Sequence, residues 1–181
     1  MRMKFAAFIL ALACLTISRP AQAAGSTGPE REYELKAAVL YHIMEYVEWP
    51  KESLPDQSGT IQIGLLGNIP FAAALEVLNG KPLQGRKVVV KKLDKPQDAG
   101  ECQVVFISSS EKGRVSEIVS ELKTRPILTV SEVEGFAERG GIVNLVAVQN
   151  RINMEINREA AKQSRLTISS QLLKLAKVYP R

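Results

Sequence analysis

The sequence predicts a single α/β domain: a mixed β-sheet flanked by helices, with a long N-terminal helix and a C-terminal helix. Three observations predict it. From Ile61 onward, short apolar runs of strand length alternate with helical stretches. Late in the chain, Ile152, Met154 and Ile156 alternate with Asn153, Glu155 and Asn157, which gives a hairpin strand one dry face and one wet face. The 181 residues are 45% hydrophobic, 24% charged and 6% aromatic, a globular balance that excludes disordered and fibrous chains. Strand–helix alternation combined with a hairpin points to a mixed sheet.

The first segment reads as an export signal. Arg2 and Lys4 precede an apolar run from Phe5 to Ile17, which is too short to span a bilayer as a helix. Ala21-Gln22-Ala23 then presents small residues where a signal peptidase reads, so the cut is expected after Ala23. Removing 1–23 takes Arg2, Lys4 and Arg19 from the 24 basic residues and nothing from the 19 acidic ones, leaving a formal charge of +2. A nucleic-acid role argued from net charge loses its support. Cys14 leaves too, so Cys102 has no partner for an intrachain disulfide and reads as a buried thiol.

Residues 24–29 form a small, polar lead-in, and the domain is expected over 30–181. Glu30 to Val47 lacks proline and glycine and predicts a helix, ended by Trp49-Pro50 because proline disfavours helix at the residue before it. Strands are expected at Ile61–Gly67, Lys87–Leu93, Cys102–Ser108 and Ile127–Val130, with helices at Pro70–Leu78 and Gly113–Lys123. Val133–Glu138 reads as a helical turn closed by Gly140-Gly141. Ile142–Val148 and Ile152–Ile156 form the hairpin around Gln149-Asn150-Arg151. A short helix at Glu159–Ser164 precedes a C-terminal helix over Ile168–Val178, whose Ile168, Leu172, Leu175, Ala176 and Tyr179 share one side.

The familiar catalytic signatures do not occur. Gly80-Lys81 is followed by Pro82, which breaks the phosphate-loop pattern, and Gly64 with Gly67 does not complete a dinucleotide fingerprint. The single histidine, His42, excludes a multi-histidine metal site and falls on a polar stripe with Arg31, Glu34, Glu45 and Glu48. Glu132 and Glu134 read as surface charge. No cofactor is called for. If the strands ending near Leu66, Ser108 and Val130 run parallel, their loops share one sheet edge. Asn68, Ser108, Ser109 and Ser131 are then candidates for a ligand edge, with helix capping as the plainer role.

The N-terminal helix carries the other candidate surface. Its polar stripe spans about 120°, and the remaining arc of roughly 200° is apolar, wider than one sheet face normally covers. The helix is therefore either sandwiched inside the domain or meets another chain. Tyr33, Lys36, Leu40, Ile43 and Trp49 are the candidate partner-binding residues. Lys36 projects among Leu40, Ile43 and Val47, so its amine needs a carboxylate or several carbonyl oxygens nearby, or must snorkel to water.

Several of these stretches resemble the YfiR family. They are Leu35-Lys36-Ala37-Ala38-Val39-Leu40-Tyr41 with Val47-Glu48-Trp49-Pro50, and Gly64-Leu65-Leu66-Gly67 with Pro70-Phe71. Ile127-Leu128-Thr129-Val130-Ser131 and Phe136-Ala137-Glu138-Arg139-Gly140-Gly141 follow, then Met154-Glu155-Ile156-Asn157 and Ile168-Ser169-Ser170-Gln171-Leu172-Leu173-Lys174-Leu175-Ala176. The pieces run in order over nearly the whole exported chain. The resemblance implies a small periplasmic α/β protein, often a homodimer and not an enzyme. The family's name-giving member represses a membrane-bound diguanylate cyclase by binding its periplasmic region. An outer-membrane lipoprotein can sequester that repressor, which raises cyclic-di-GMP and favours biofilm formation. A small-molecule receptor without catalysis is the alternative reading.

Overall fold

The computed structural model describes residues 28–54, 59–70, 72–149 and 151–179. The expected export segment, its cleavage site and most of the lead-in lie outside them. Helix α1 (Gly28–Glu45) starts two residues inside the expected lead-in. Its end is tied across the fold, because Gln84 Nε2 donates to the carbonyl of Met44 in the last turn at 3.1 Å and to that of Val47, just past the helix, at 2.9 Å.

After α1 come β1 (Val47–Glu48), β2 (Thr60–Leu66), α2 (Ala72–Glu76), β3 (Pro82–Leu83) and β4 (Arg86–Leu93). Then follow β5 (Val104–Ile107), α3 (Val115–Leu122), β6 (Leu128–Ser131), β7 (Val143–Val148) and β8 (Arg151–Asn157). The chain finishes with α4 (Arg158–Gln163), β9 (Thr167–Ile168), α5 (Ser170–Leu173) and β10 (Lys177–Tyr179). Eight strands make one mixed sheet in the order β10-β8-β7-β6-β5-β2-β4-β3. Strands β4, β2, β5, β6 and β7 are mutually parallel, β7 and β8 form the antiparallel hairpin, and β10 lies parallel to β8.

Each face of the sheet has its own apolar layer. On one, Leu40, Ile43 and Met44 of α1 bury against Ile63, Val104, Phe106, Val130 and Val143. On the other, Val115, Ile118, Val119 and Leu122 of α3 recur at helical spacing and cover Leu66, Val105 and Ile107. α1 also packs against α2 and β8, so much of its apolar arc is covered within the chain.

Two parts differ from expectation. The C-terminal helix is present but is a four-residue α5, not Ile168–Val178. Leu175, a member of the expected apolar stripe, is 74% exposed, so burial does not hold a longer helix together. Lys177–Tyr179 instead pair with the open edge of β8, where unpaired backbone groups offer a ladder. The second difference is a two-stranded clip. β1 pairs antiparallel with β9, Val47 opposite Ile168, and Ser169 N donates to Tyr46 O at 2.9 Å. Strands this short carry no readable alternation.

Candidate functional site

The carboxyl ends of β2, β5, β6 and β7 meet at one edge of the sheet, where open α/β folds place ligands. Register aligns Ile107, Ser131, Asn144, Glu155 and Lys177 in one row across β5, β6, β7, β8 and β10. Row members share a face, and Ile107 puts this row on the face of α3. The apolar layer of that face takes nothing from β7, β8 or β10, which present Asn144, Glu155 and Lys177 there. This floor and the connection after β6, carrying Glu132, Glu134 and Glu138, bound a pocket of about 620 Å³.

Lys36 reaches the pocket from α1. Its Nζ lies 2.5 Å from Glu132 Oε2 and 2.7 Å from Glu32 Oε1, the carboxylate partnership its buried position called for. Burial pulls the amine's pKa down. Hydrogen bonds and charge from Glu132 and Glu32 outweigh that and leave it above the ordinary lysine value. Glu132, read from sequence as surface charge, has a side chain only 13% exposed; the correction follows from its place at the end of a buried strand, facing Lys36.

A second polar group sits on the floor. Glu155 accepts from Lys177 Nζ at 3.0 Å, from Asn144 Nδ2 at 3.1 Å and from Tyr179 Oη at 3.4 Å. Burial pushes its carboxyl up, but the bonds from Lys177, Asn144 and Tyr179 hold it below the usual carboxylate range. Asn144 is 1% exposed, and its Oδ1 is the one buried side-chain polar atom without a partner among the described residues. An unpaired buried acceptor costs about 1–3 kcal/mol.

The serines and the asparagine expected at this edge are mostly engaged with one another. Ser108 Oγ donates to the Asn68 carbonyl and accepts from Ser110 N at 3.2 Å, while Asn68 N donates to Ser110 Oγ at 3.0 Å. Gly67 makes that turn possible: its φ is +88°, and an added Cβ would meet Ser110 Oγ at 2.6 Å. Ser131 Oγ donates to Ile107 O at 2.7 Å and accepts from Val133 N at 3.1 Å. Of the four, Ser109 lines the pocket. Sequence reasoning passed over Asn144, Glu155 and Lys177. The available signal was Asn144 itself, a lone polar residue between Val143 and Leu145.

Of the expected partner-binding residues, Leu40, Ile43, Lys36 and Trp49 are buried within the chain, where α1 packs on the sheet and α2, while Leu35 and Val39 of α1 are half-buried. Trp49 Nε1 donates to Gln103 O at 3.0 Å. Tyr33 is half-buried, with the Lys36 amine 5.8 Å from its ring centre. His42 is exposed and paired with Glu45 at 2.8 Å, in keeping with a solvated stripe. Among the described residues, no three of His, Cys, Asp and Glu are placed to share a metal ion.

Cys102 is buried, and burial pushes its thiol up despite the opposing charges of Lys91 and Arg125. The folded protein is therefore expected to leave a chromogenic aromatic disulfide reagent unreacted over minutes and to react promptly in denaturant. Rapid native-state labelling would contradict the burial.

A family model described as YfiR/HmsC-like matches residues 33–177. Among solved structures, a conserved domain protein from Vibrio cholerae O1 biovar El Tor is similar at 16% identity and a TM-score of 0.54. That likeness covers 81% of this chain, which spans 59% of the other chain's length. At this identity it concerns the fold. An ABC domain in complex with L-Trp from Streptococcus pneumoniae matches at 14% identity and a TM-score of 0.48, over 65% of this chain and 54% of its own. No helix among the described residues is long and apolar enough to cross a membrane.

Proposed function

Because the chain belongs to the YfiR/HmsC-like family, whose members are periplasmic regulators in cyclic-di-GMP signalling, we propose that it represses a membrane-bound diguanylate cyclase. The family works through protein–protein contact and is regulatory, not catalytic. The observation that carries the reading is the extent of the match, which takes in α1 from Tyr33 onward, both apolar layers and the edge pocket apart from Tyr179. The chain is exported with its leader cut after Ala23, and the exported protein acts as a homodimer. It binds the cyclase's periplasmic region and favours the inactive conformation. An outer-membrane lipoprotein that sequesters the repressor removes that bias, and cyclic-di-GMP rises with biofilm formation. The repressor can shift the cyclase only by the difference in its affinity for the two conformations. Tyr33 belongs to the docking surface in this reading, whereas Leu40, Ile43 and Trp49 support α1 from beneath.

The exported chain is expected to capture the periplasmic region of a cyclase from its own host in a purified pull-down. Deleting its gene is expected to raise cyclic-di-GMP severalfold. Failure to bind every such region from the host would sink the proposal. A second reading, a receptor for a small molecule, draws on the 620 Å³ pocket and the unpartnered Asn144 oxygen. The two readings are compatible, since a ligand could tune the contact with the cyclase.

A further inference from the structure

The edge pocket presents two lysines, Lys36 and Lys177, against four glutamates, Glu132, Glu134, Glu138 and Glu155. Both lysines are already neutralised, Lys36 by Glu32 and Glu132 and Lys177 by Glu155. Among the described residues, the carboxylates of Glu134 and Glu138 have no partner, and both residues are exposed at the rim. Below them lies the buried Asn144, whose Oδ1 lacks a donor while its Nδ2 is held by Glu155. That bond fixes the amide's orientation, because a carboxylate can only accept from the nitrogen end. The pocket therefore carries an excess of acceptors and of negative charge over its two lysines.

That combination sets the ligand's chemistry. An anion would meet unpaired carboxylates and no free cation. A single metal ion is disfavoured because the acidic groups are not placed to share one. An apolar molecule would leave the Asn144 oxygen unsatisfied. We infer that the pocket binds a linear aliphatic polyamine, one ammonium between the Glu134 and Glu138 carboxylates and another N–H directed to the Asn144 oxygen. Its flexible carbon chain lets separated anionic groups be neutralised in turn, and charge-assisted hydrogen bonds supply the specificity. The assignment rests on the receptor reading of this pocket and deepens it.

Spermidine is the probe, titrated into the exported chain at fixed ionic strength and followed by calorimetry and thermal unfolding. Saturable binding with a rising melting temperature is expected. The rim variant E134Q/E138Q removes two exposed charges without touching the core and is expected to weaken binding at least tenfold. N144L, which keeps the side chain's branching and heavy-atom count, is expected to weaken it comparably; if it does not fold, the rim variant decides. Three results would overturn the inference: no saturable binding at millimolar spermidine, equal affinity in the rim variant, or an equal melting shift from magnesium chloride at matched ionic strength. A different class of small molecule lodging in the pocket would remove the polyamine assignment and leave the receptor reading standing. No ligand from a broad metabolite screen would remove both.

Discussion

Glu132→Gln is expected to lower the stability of the domain by about 3 kcal/mol, the low end of the range for breaking a buried ion pair. The charge left behind is Lys36, which is 5% exposed and loses its more buried carboxylate, since Glu32 has a side chain 42% exposed. In a domain of this size the loss corresponds to a melting temperature roughly 6–12 °C lower. The double variant K36M/E132L, which replaces both charges with apolar groups of similar length, is expected to melt close to the wild type. Removing a complete buried pair is often neutral, whereas removing half is not. The pH dependence separates this from simple packing loss. Lys36 is held above its ordinary value, so the pair's contribution is complete below a pH of about 10.4 and fades as pH rises through the raised value. On the alkaline side of neutrality, the wild type should therefore lose stability relative to the double variant only in that range. A loss between pH 7 and 9, or a Glu132→Gln variant as stable as the wild type, would contradict the arrangement.

Gly141→Ala is expected to cost at least about 3 kcal/mol, at or beyond the upper end of ordinary overpacking. A Cβ there would lie 2.1–2.4 Å from three carbons of the Phe136 ring. Phe136 is fully buried beneath α3, so the ring has no empty space to enter. The helical turn before β7 is thus closed by a glycine required for contact and not for its φ. Shrinking the ring in the double variant Phe136→Leu/Gly141→Ala should return part of the loss, giving a coupling of about 1 kcal/mol or more between the sites. Strict additivity in chemical unfolding would mean the ring and glycine do not meet.

Most of the layered architecture was legible because its elements are long or strongly periodic. α3 declares itself through Val115, Ile118, Val119 and Leu122, and β5 through four consecutive buried residues. The hairpin was legible from Ile152, Met154 and Ile156. Beyond Ile168, Leu172 and Leu175 satisfy helical spacing in the sequence. What decides the conformation there is the free edge of β8, a neighbour that local pattern cannot reveal. The width of α1's apolar arc was read correctly, but width alone does not say whether a partner or the chain's own sheet answers it. The pocket was harder still. Its location at the parallel strand ends was anticipated, yet the expected serines turn inward to bond loop backbone. The residues that give it character come from a hairpin's wet side and from a segment that reads as helix. Only cross-strand register brings Asn144, Glu155 and Lys177 together.

The clip between β1 and β9 bears on how the molecule is made. It joins Val47, just past the opening helix, to Ile168, near the other extremity of the described chain. Contacts so distant along the polypeptide carry a large loop-closure penalty and give slow folding. A nascent chain cannot close this clasp until its final strands have been synthesised.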